Sequence, residues 1–184
     1  HFHWDHIQGL PFFHPIYFPS TTIHLYSPVD RDLSRQSLDV LFDGSYSPFE
    51  GIDRMPAKTV FHQLKGTFSL DELSVDYIPV DHGWTQGSEP MAFAYRFCFQ
   101  GLTLVIACDH EGRSGPLNDG LRDFAKNANL FIHDAQFSEE EYQDRQGWGH
   151  STFGQALDNA KAVGAKQTLL THHAPTRTDG QIRS

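Results

Sequence analysis

The chain opens with the run His1-Phe2-His3-Trp4-Asp5-His6, which places four metal-ligating side chains within six residues. His1 and His3 can point the same way in a turn, while Asp5 and His6 point to a neighbouring position. The run therefore suits two divalent cations side by side better than one. A purification tag would be uniform histidine, whereas this run continues into the apolar segment Ile7–Phe13. The metals need further ligands, so distant parts of the chain must fold back towards such a site.

Further ligand-type residues stand just past predicted strands, where a rigid scaffold can gather a site from distant sequence. The four are His82, Asp109, Asp134 and His172. Predicted strands cover Thr22–Tyr26, Thr59–Leu64, Ser74–Val80, Met91–Phe99, Leu102–Ala107, Leu130–His133 and Gln167–Thr171. Predicted helices cover Ser34–Phe42 (with Ser34 as its cap), Leu121–Asn127 and Ser151–Val163, the last capped by Ser151 or Thr152 and ended by Gly164. Gly44–Pro56 is predicted to be an ordered loop. The pattern predicts one domain over residues 1–184, of α/β class (α+β in some schemes).

The composition limits which classes of partner the chain is expected to bind. The formal net charge of −9 argues against a large nucleic-acid-binding face, although metals could still accept a small anionic substrate. The absence of a long apolar run predicts no membrane span. Two cysteines, Cys98 and Cys108, suggest reduced thiols and a cytoplasmic location.

With these elements in order, the chain resembles the metallo-β-lactamase superfamily, in the branch of phosphodiesterases and ribonuclease Z. The residues that carry the resemblance are the opening run, His82, Asp109 after Ala107-Cys108, the element His150-Ser151-Thr152, and His172 after Leu170-Thr171. The resemblance covers essentially the whole chain. It implies a four-layer αββα sandwich with a binuclear metal site at one edge.

The resemblance also implies a ligand set. One metal would be held by His1, His3 and His82. The other would be held by Asp5, His6 and His172, and Asp109 would bridge both. The nitrogen and oxygen ligands fit zinc, and manganese or iron also fit. Either His172 or the adjacent His173 could be the ligand, and we favour His172.

The implied reaction is hydrolysis by a hydroxide that the binuclear centre activates, with Asp5 orienting this nucleophile. His150 would protonate the leaving alkoxide, which requires a carboxylate neighbour or a charged substrate because a helix N-terminus lowers a histidine pKa. We expect Asp134 to orient a ligand histidine rather than to bind metal.

We therefore predict a phosphodiesterase that acts on small phosphodiesters or cyclic nucleotides. The alternatives are ribonuclease Z-like RNA processing, for which the chain shows no basic insertion, and a thioesterase or lactamase of the same fold. Two different classes stay open: a copper oxidoreductase that uses an N-terminal His1, and a degenerate binding domain. Assay of bound metal separates the copper alternative from the hydrolase.

In the family, a first set of strands precedes the opening run. We therefore expect a missing N-terminal segment that belongs to the parent protein, is lost by cleavage, or is supplied by another chain, as in a homodimer.

Overall fold

The apolar segments predicted to be strands form strands in the computed structural model. The structure describes all residues except Tyr46, Pro48, Trp84, Gly87, Ser88, Met91 and Ser184. Contacts divide the chain into two units, His1–Lys65 and Gly66–Ser184. None of the helices among the described residues combines the length and the apolar character that crossing a membrane requires.

The unit His1–Lys65 is built around two parallel strands. Its main elements are α1 (Trp4–Ile7), β1 (Thr22–Ser27), α2 (Arg31–Asp39) and β2 (Lys58–Gln63). Short 3-10 helices lie at Leu10–Phe12, His14–Tyr17, Val40–Phe42 and Ile52–Arg54. Strand β1 pairs with β2 in register from Thr22 opposite Lys58 to Ser27 opposite Gln63. The core of this unit includes the fully buried side chains of Ile16, Phe42 and Ile52.

The N-terminus of α2 corrects one sequence prediction. The side chain of Asp30 accepts hydrogen bonds from the backbone N–H groups of Asp32 and Leu33, so the helix begins at Arg31 rather than at Ser34. Ser34 is buried within the first turns and is not the cap. The predicted loop Gly44–Pro56 contains the 3-10 turn Ile52–Arg54, although two of its residues, Tyr46 and Pro48, lie outside the described part.

The unit Gly66–Ser184 contains a six-stranded mixed sheet. Its strands are β3 (Phe68–Leu70), β4 (Leu73–Pro79), β7 (Phe93–Phe99), β8 (Leu102–Ala107), β9 (Leu130–Asp134) and β10 (Gln167–Thr171), in the spatial order β10-β9-β8-β7-β4-β3. A separate pair, β5 (Thr85–Gln86) and β6 (Glu89–Pro90), runs antiparallel. The predicted strand Met91–Phe99 begins at Phe93, and its first predicted residue, Met91, lies outside the description.

The described residues of this unit form four helices: α3 (Pro116–Phe124), α4 (Glu139–Tyr142), α5 (Phe153–Val163) and α6 (Asp179–Arg183). Thr152 caps α5 through a capping box with Gln155, and Gly164 ends it at φ 64°, as the sequence predicts. Helix α3 begins earlier than predicted because Pro116 occupies its first turn, and it ends at Phe124 rather than Asn127. Leu121 and Val163 pack with sheet residues such as Phe131 in one apolar core.

The strand directions decide where functional side chains can meet. Strands β8, β9 and β10 are mutually parallel, and β7 is antiparallel to both β8 and β4. Strand β4 therefore runs in the same direction as β8, β9 and β10, and the carboxyl ends of all four lie at one edge of the sheet. The residues that follow these ends are held close together by main-chain hydrogen bonds rather than by flexible loops.

Candidate metal centre

At this sheet edge, the buried carboxylate of Asp109 lies between two histidines. Its Oδ2 is 3.4 Å from His82 Nε2, and its Oδ1 is 3.5 Å from His172 Nε2. The side chains of Asp109 and His82 are 4% and 3% exposed. One carboxylate oxygen thus faces each imidazole, which is the donor arrangement expected of a ligand shared between two cations. The structure therefore brings together the predicted ligands His82, Asp109 and His172.

His82 is held in the tautomer that a metal ligand requires. Its Nδ1–H donates to the backbone carbonyl of Gly149 at 2.8 Å, which leaves the Nε2 lone pair directed towards Asp109. Burial lowers the pKa of His82 and so favours the neutral imidazole. The residues present in this unit therefore fit a divalent cation.

His172 follows β10 with a backbone φ of 59°, in the left-handed region that few non-glycine residues occupy. This turn directs the His172 ring to Asp109 and stacks it on His150 at 4.8 Å. The neighbouring His173 packs near the ring of Phe153 instead. Backbone strain of this kind is common at functional sites.

His150 forms a second pair with Asp134. Its Nδ1 lies 2.7 Å from Asp134 Oδ2, and its ring lies 4.9 Å from that of His82. The Nδ1–H donates to the carboxylate, which fixes the ring and leaves Nε2 as the reactive nitrogen. Asp134, at the end of β9, is thus a carboxylate neighbour of the kind that the predicted role of His150 requires.

Asp134 is completely buried, and its oxygens are already engaged. They accept hydrogen bonds from the N–H groups of His110, Gln136 and Ser151 as well as from His150. Although Asp134, His150 and His172 lie close enough to hold an ion, these four donors favour an orienting role for Asp134. Burial raises the pKa of the Asp134 carboxyl, and the hydrogen bond from His150 opposes that rise.

Sequence reasoning missed Glu111, a buried carboxylate that is 1% exposed. It accepts hydrogen bonds from the Tyr142 hydroxyl at 2.5 Å and from the N–H groups of Gly147 and Gly149 at 2.8 and 3.1 Å. Glu111 thereby fixes the loop whose Gly149 carbonyl orients His82. Only its position two residues after Asp109 could have drawn attention to it in the sequence.

Two other buried histidines, His110 and His133, belong to a hydrogen-bond network beside the site. His110 Nε2 bonds to Asn118, and Asn159 bonds to both Asn118 and His133 Nε2. His133 Nδ1 donates to the backbone carbonyl of Asp134 at 2.7 Å. Burial lowers the pKa of His133 to about 3, so this imidazole is neutral at ordinary pH.

Cys108, beside Asp109, is one of the two free cysteines. Burial raises the pKa of its thiol to about 11, which keeps it protonated and unreactive.

In the unit His1–Lys65, the histidine rings of the opening run lie close together. The ring of His1 lies 4.4 Å from that of His3 and 4.3 Å from that of His6. Asp5 Oδ2 is 3.4 Å from His6 Nε2. The turn of α1 produces this cluster, because His3 precedes its first residue while Asp5 and His6 lie within it. The four predicted ligands of this run therefore gather at the start of their unit.

The family model described as a beta-lactamase superfamily domain matches residues 1–173. The chain belongs to the beta-lactamase superfamily. Its most similar solved structures include the metallo-beta-lactamase fold protein YhfI from Bacillus subtilis, with a TM-score of 0.70 and 22% identity over 100% of this chain and 66% of that one. The mixed α/β architecture expected from the sequence is thus confirmed as the metallo-β-lactamase fold, a fold that implies divalent metals.

Two further structures share the fold. A diphosphatase from the PhnP family aligns with 94% of this chain and 57% of its own at a TM-score of 0.64 and 21% identity. Unliganded yeast PDE1 aligns with 96% of this chain and 56% of its own at a TM-score of 0.62 and 18% identity.

Curated relatives match shorter segments. Ribonuclease Z from Bacillus velezensis is 36% identical over 55 residues, which cover 30% of this chain and 18% of that protein. Ribonuclease Z from Halobacterium salinarum is 40% identical over 72 residues, which cover 39% of this chain and 22% of that protein. The matches therefore span less than a quarter of the length of these two relatives.

Proposed function

We propose that this chain is the hydrolytic domain of a metal-dependent phosphodiesterase that acts on small phosphodiesters or cyclic nucleotides. The observation that carries the proposal is the pairing of His150 with the buried Asp134 beside the imidazoles of His82 and His172. This arrangement supplies a proton donor for a poor leaving group next to candidate metal ligands.

The proposed ligands divide between two cations, most simply zinc, with manganese or iron as alternatives. His1, His3 and His82 would hold one, and Asp5, His6 and His172 the other, with Asp109 shared. The two carboxylate oxygens of Asp109, each facing a histidine, support its shared role. When bound, such cations supply Lewis acidity, neutralise charge on the phosphoryl oxygens and lower the pKa of water.

Side chains of the protein would deliver the proton and orient the nucleophile. Asp134 holds the His150 ring through Nδ1, so that Nε2 can deliver a proton to the leaving alkoxide. The N–H donors on Asp134 keep that carboxylate in place during the transfer. Asp5, whose side chain is 51% exposed, would orient the attacking nucleophile.

The proposal is supported by relatives of the same fold, because yeast PDE1 carries the name of a phosphodiesterase and the PhnP-family protein is a diphosphatase. We test it by supplying bis-p-nitrophenyl phosphate, cyclic AMP and a β-lactam to the metal-loaded protein. We expect hydrolysis of the two phosphodiesters and none of the β-lactam. His82→Ala should abolish activity, whereas His14→Ala, at an exposed histidine of the other unit, should not change it. An intact, metal-loaded protein without phosphodiesterase activity contradicts the proposal.

His150→Ala provides a sharper test of the proton donor. p-Nitrophenolate is a weak base that leaves without protonation, whereas the sugar alkoxide of cyclic AMP needs a proton. We expect the variant to lose about 10²–10⁴-fold in kcat/KM on cyclic AMP and far less on bis-p-nitrophenyl phosphate. Equal losses on both substrates would contradict the assigned role.

A second candidate is ribonuclease Z-like RNA processing, because the two curated relatives compared above both carry that name. Cleavage of a precursor transfer RNA at rates above those for cyclic AMP would establish it. Metal analysis addresses the copper alternative, since about two zinc, manganese or iron ions per chain support a hydrolase and one copper ion contradicts it. The cytoplasmic location stays a prediction.

A further inference from the structure

A cleft of about 290 Å³ opens beside His150 in the unit Gly66–Ser184. The residues that matter for its chemistry are Gln136, Phe137, Glu141, Arg145, Trp148 and His150. The volume is that of a ligand the size of a nucleoside rather than of a single phosphate. Because His150 lines the cleft, the part of a substrate that occupies it lies next to the proposed proton donor.

The walls of the cleft include an indole presented to solvent. Trp148 is 63% exposed, although it belongs to a turn fixed by the hydrogen bond from its own N–H to the carbonyl of Arg145. Phe137 also lines the cleft and is 5% exposed, and the Arg145 guanidinium lies 5.4 Å from the centre of its ring. Arg145 is further fixed by a hydrogen bond from Nη1 to the carbonyl of Glu141. Exposed indole on a fixed backbone is the feature expected of a stacking platform for a planar ligand.

The cleft is also lined by polar and charged groups. Gln136 also lines the cleft, although its Oε1 is buried from solvent. Among the described residues, the lining contains one guanidinium, that of Arg145, and one carboxylate, that of Glu141, which accepts a hydrogen bond from Arg177.

We propose that this cleft is the leaving-group subsite and that Trp148 selects substrates whose leaving alcohol carries a planar aromatic ring of nucleobase size. The inference rests on the proposed function, because it is the role of His150 as proton donor that makes this the leaving-group side. The ring of the leaving alcohol stacks on Trp148. Trp148 is thus a specificity-determining residue that takes no part in the bond-breaking step.

The test uses adenosine as the probe, with ribose as its partner lacking the ring. We expect adenosine to bind the metal-loaded protein in calorimetry, to inhibit hydrolysis of bis-p-nitrophenyl phosphate competitively, and ribose to do neither. Trp148→Ala should weaken adenosine binding about 10- to 100-fold, because stacking one base on an aromatic side chain contributes that much. Trp148→Phe should retain most of the affinity.

Phe99→Ala is the matched control, because Phe99 is also an exposed aromatic residue of this unit but lies at the end of β7, outside the cleft lining. Its adenosine affinity should equal that of the parent protein. Adenosine binding that survives Trp148→Ala, that is equalled by ribose, or that does not compete with the diester overturns the inference. If the diester is hydrolysed but adenosine does not bind, this inference fails alone. If no diester is hydrolysed, the proposed function fails, whatever adenosine does.

Discussion

Gly149→Ala should disturb the candidate metal centre through one added methyl group. Gly149 has a φ of +83°, which an alanine adopts only under strain. A Cβ built there lies 2.5 Å from the backbone oxygen of His82 and 2.6 Å from its Nδ1, distances that real Cβ atoms do not reach. The backbone of His82 therefore has to move, and the 2.8 Å hydrogen bond that orients its ring cannot survive.

Gly147 provides a matched control in the same loop. Its φ is +82°, but a Cβ at this position meets nothing within 4 Å. Gly147→Ala should therefore cost only the backbone strain, about 1–2 kcal/mol of unfolding free energy. Gly149→Ala should cost that plus about 1–3 kcal/mol for the steric conflict. The difference between the two variants isolates the close approach to His82.

Urea denaturation of the two variants measures this difference, and zinc titration against a competing chelator measures its effect on the site. Loss of the outer hydrogen bond to a metal ligand lowers metal affinity by about 10- to 100-fold, so Gly149→Ala should lose at least that much while Gly147→Ala stays close to the parent. Equal stabilities and equal zinc affinities for the two variants would refute the role assigned to the contact between Gly149 and His82.

Four other outcomes are expected. Asp134→Asn removes the anionic partner of His150 and should lower kcat/KM on cyclic AMP by about 10²–10⁴-fold, with little change on bis-p-nitrophenyl phosphate; equal changes would exclude an orienting role. Tyr142→Phe removes a donor to the buried Glu111 and should cost about 1–3 kcal/mol in urea denaturation. Removal of metal by a chelator should lower Tm, since bound ligand at 1,000 times its Kd stabilises by about 4 kcal/mol, and an unchanged Tm would indicate that no metal was bound. Burial lowers the pKa of His133 to about 3 in the folded protein, from about 6.5 in the unfolded chain, so unfolding takes up a proton at any pH between these values. The free energy of unfolding should therefore fall as the pH drops from about 6.5 towards 3. His133→Gln should flatten that part of the pH profile of stability.

Local signals made much of the fold predictable from sequence. Strands such as Leu102–Ala107 are apolar and end in recognisable turns, and α5 carries a capping threonine at one end and Gly164 at the other. Helix starts were harder where two caps compete. Asp30 and Ser34 are both good capping residues, and what decides between them is which side chain reaches the free N–H groups of the first turn.

The candidate site was predictable where a ligand type follows a strand, as with Asp109 and His172. Glu111 was not predictable, because its role depends on a loop 36 to 38 residues further along the chain. No local pattern marks a carboxylate whose partners are backbone N–H groups so far away. The pairing of Asp134 with His150 was foreseen only in part, because the sequence indicated that Asp134 orients a ligand histidine, whereas the histidine that it contacts is His150, the expected proton donor.

The loop that contains Gly149 couples metal binding by His82 to proton donation by His150 in the proposed reaction. The N–H of Gly149 donates a hydrogen bond to Glu111, and its carbonyl accepts the hydrogen bond that orients His82. His150 is the next residue in the chain. A change that releases this loop therefore moves a metal ligand and the proton donor at once. Glu111→Gln, which keeps the shape but weakens the acceptor, should lower both zinc affinity and the cyclic AMP to bis-p-nitrophenyl phosphate rate ratio. If one of these falls and the other does not, Glu111 supports a single residue rather than the loop as a unit.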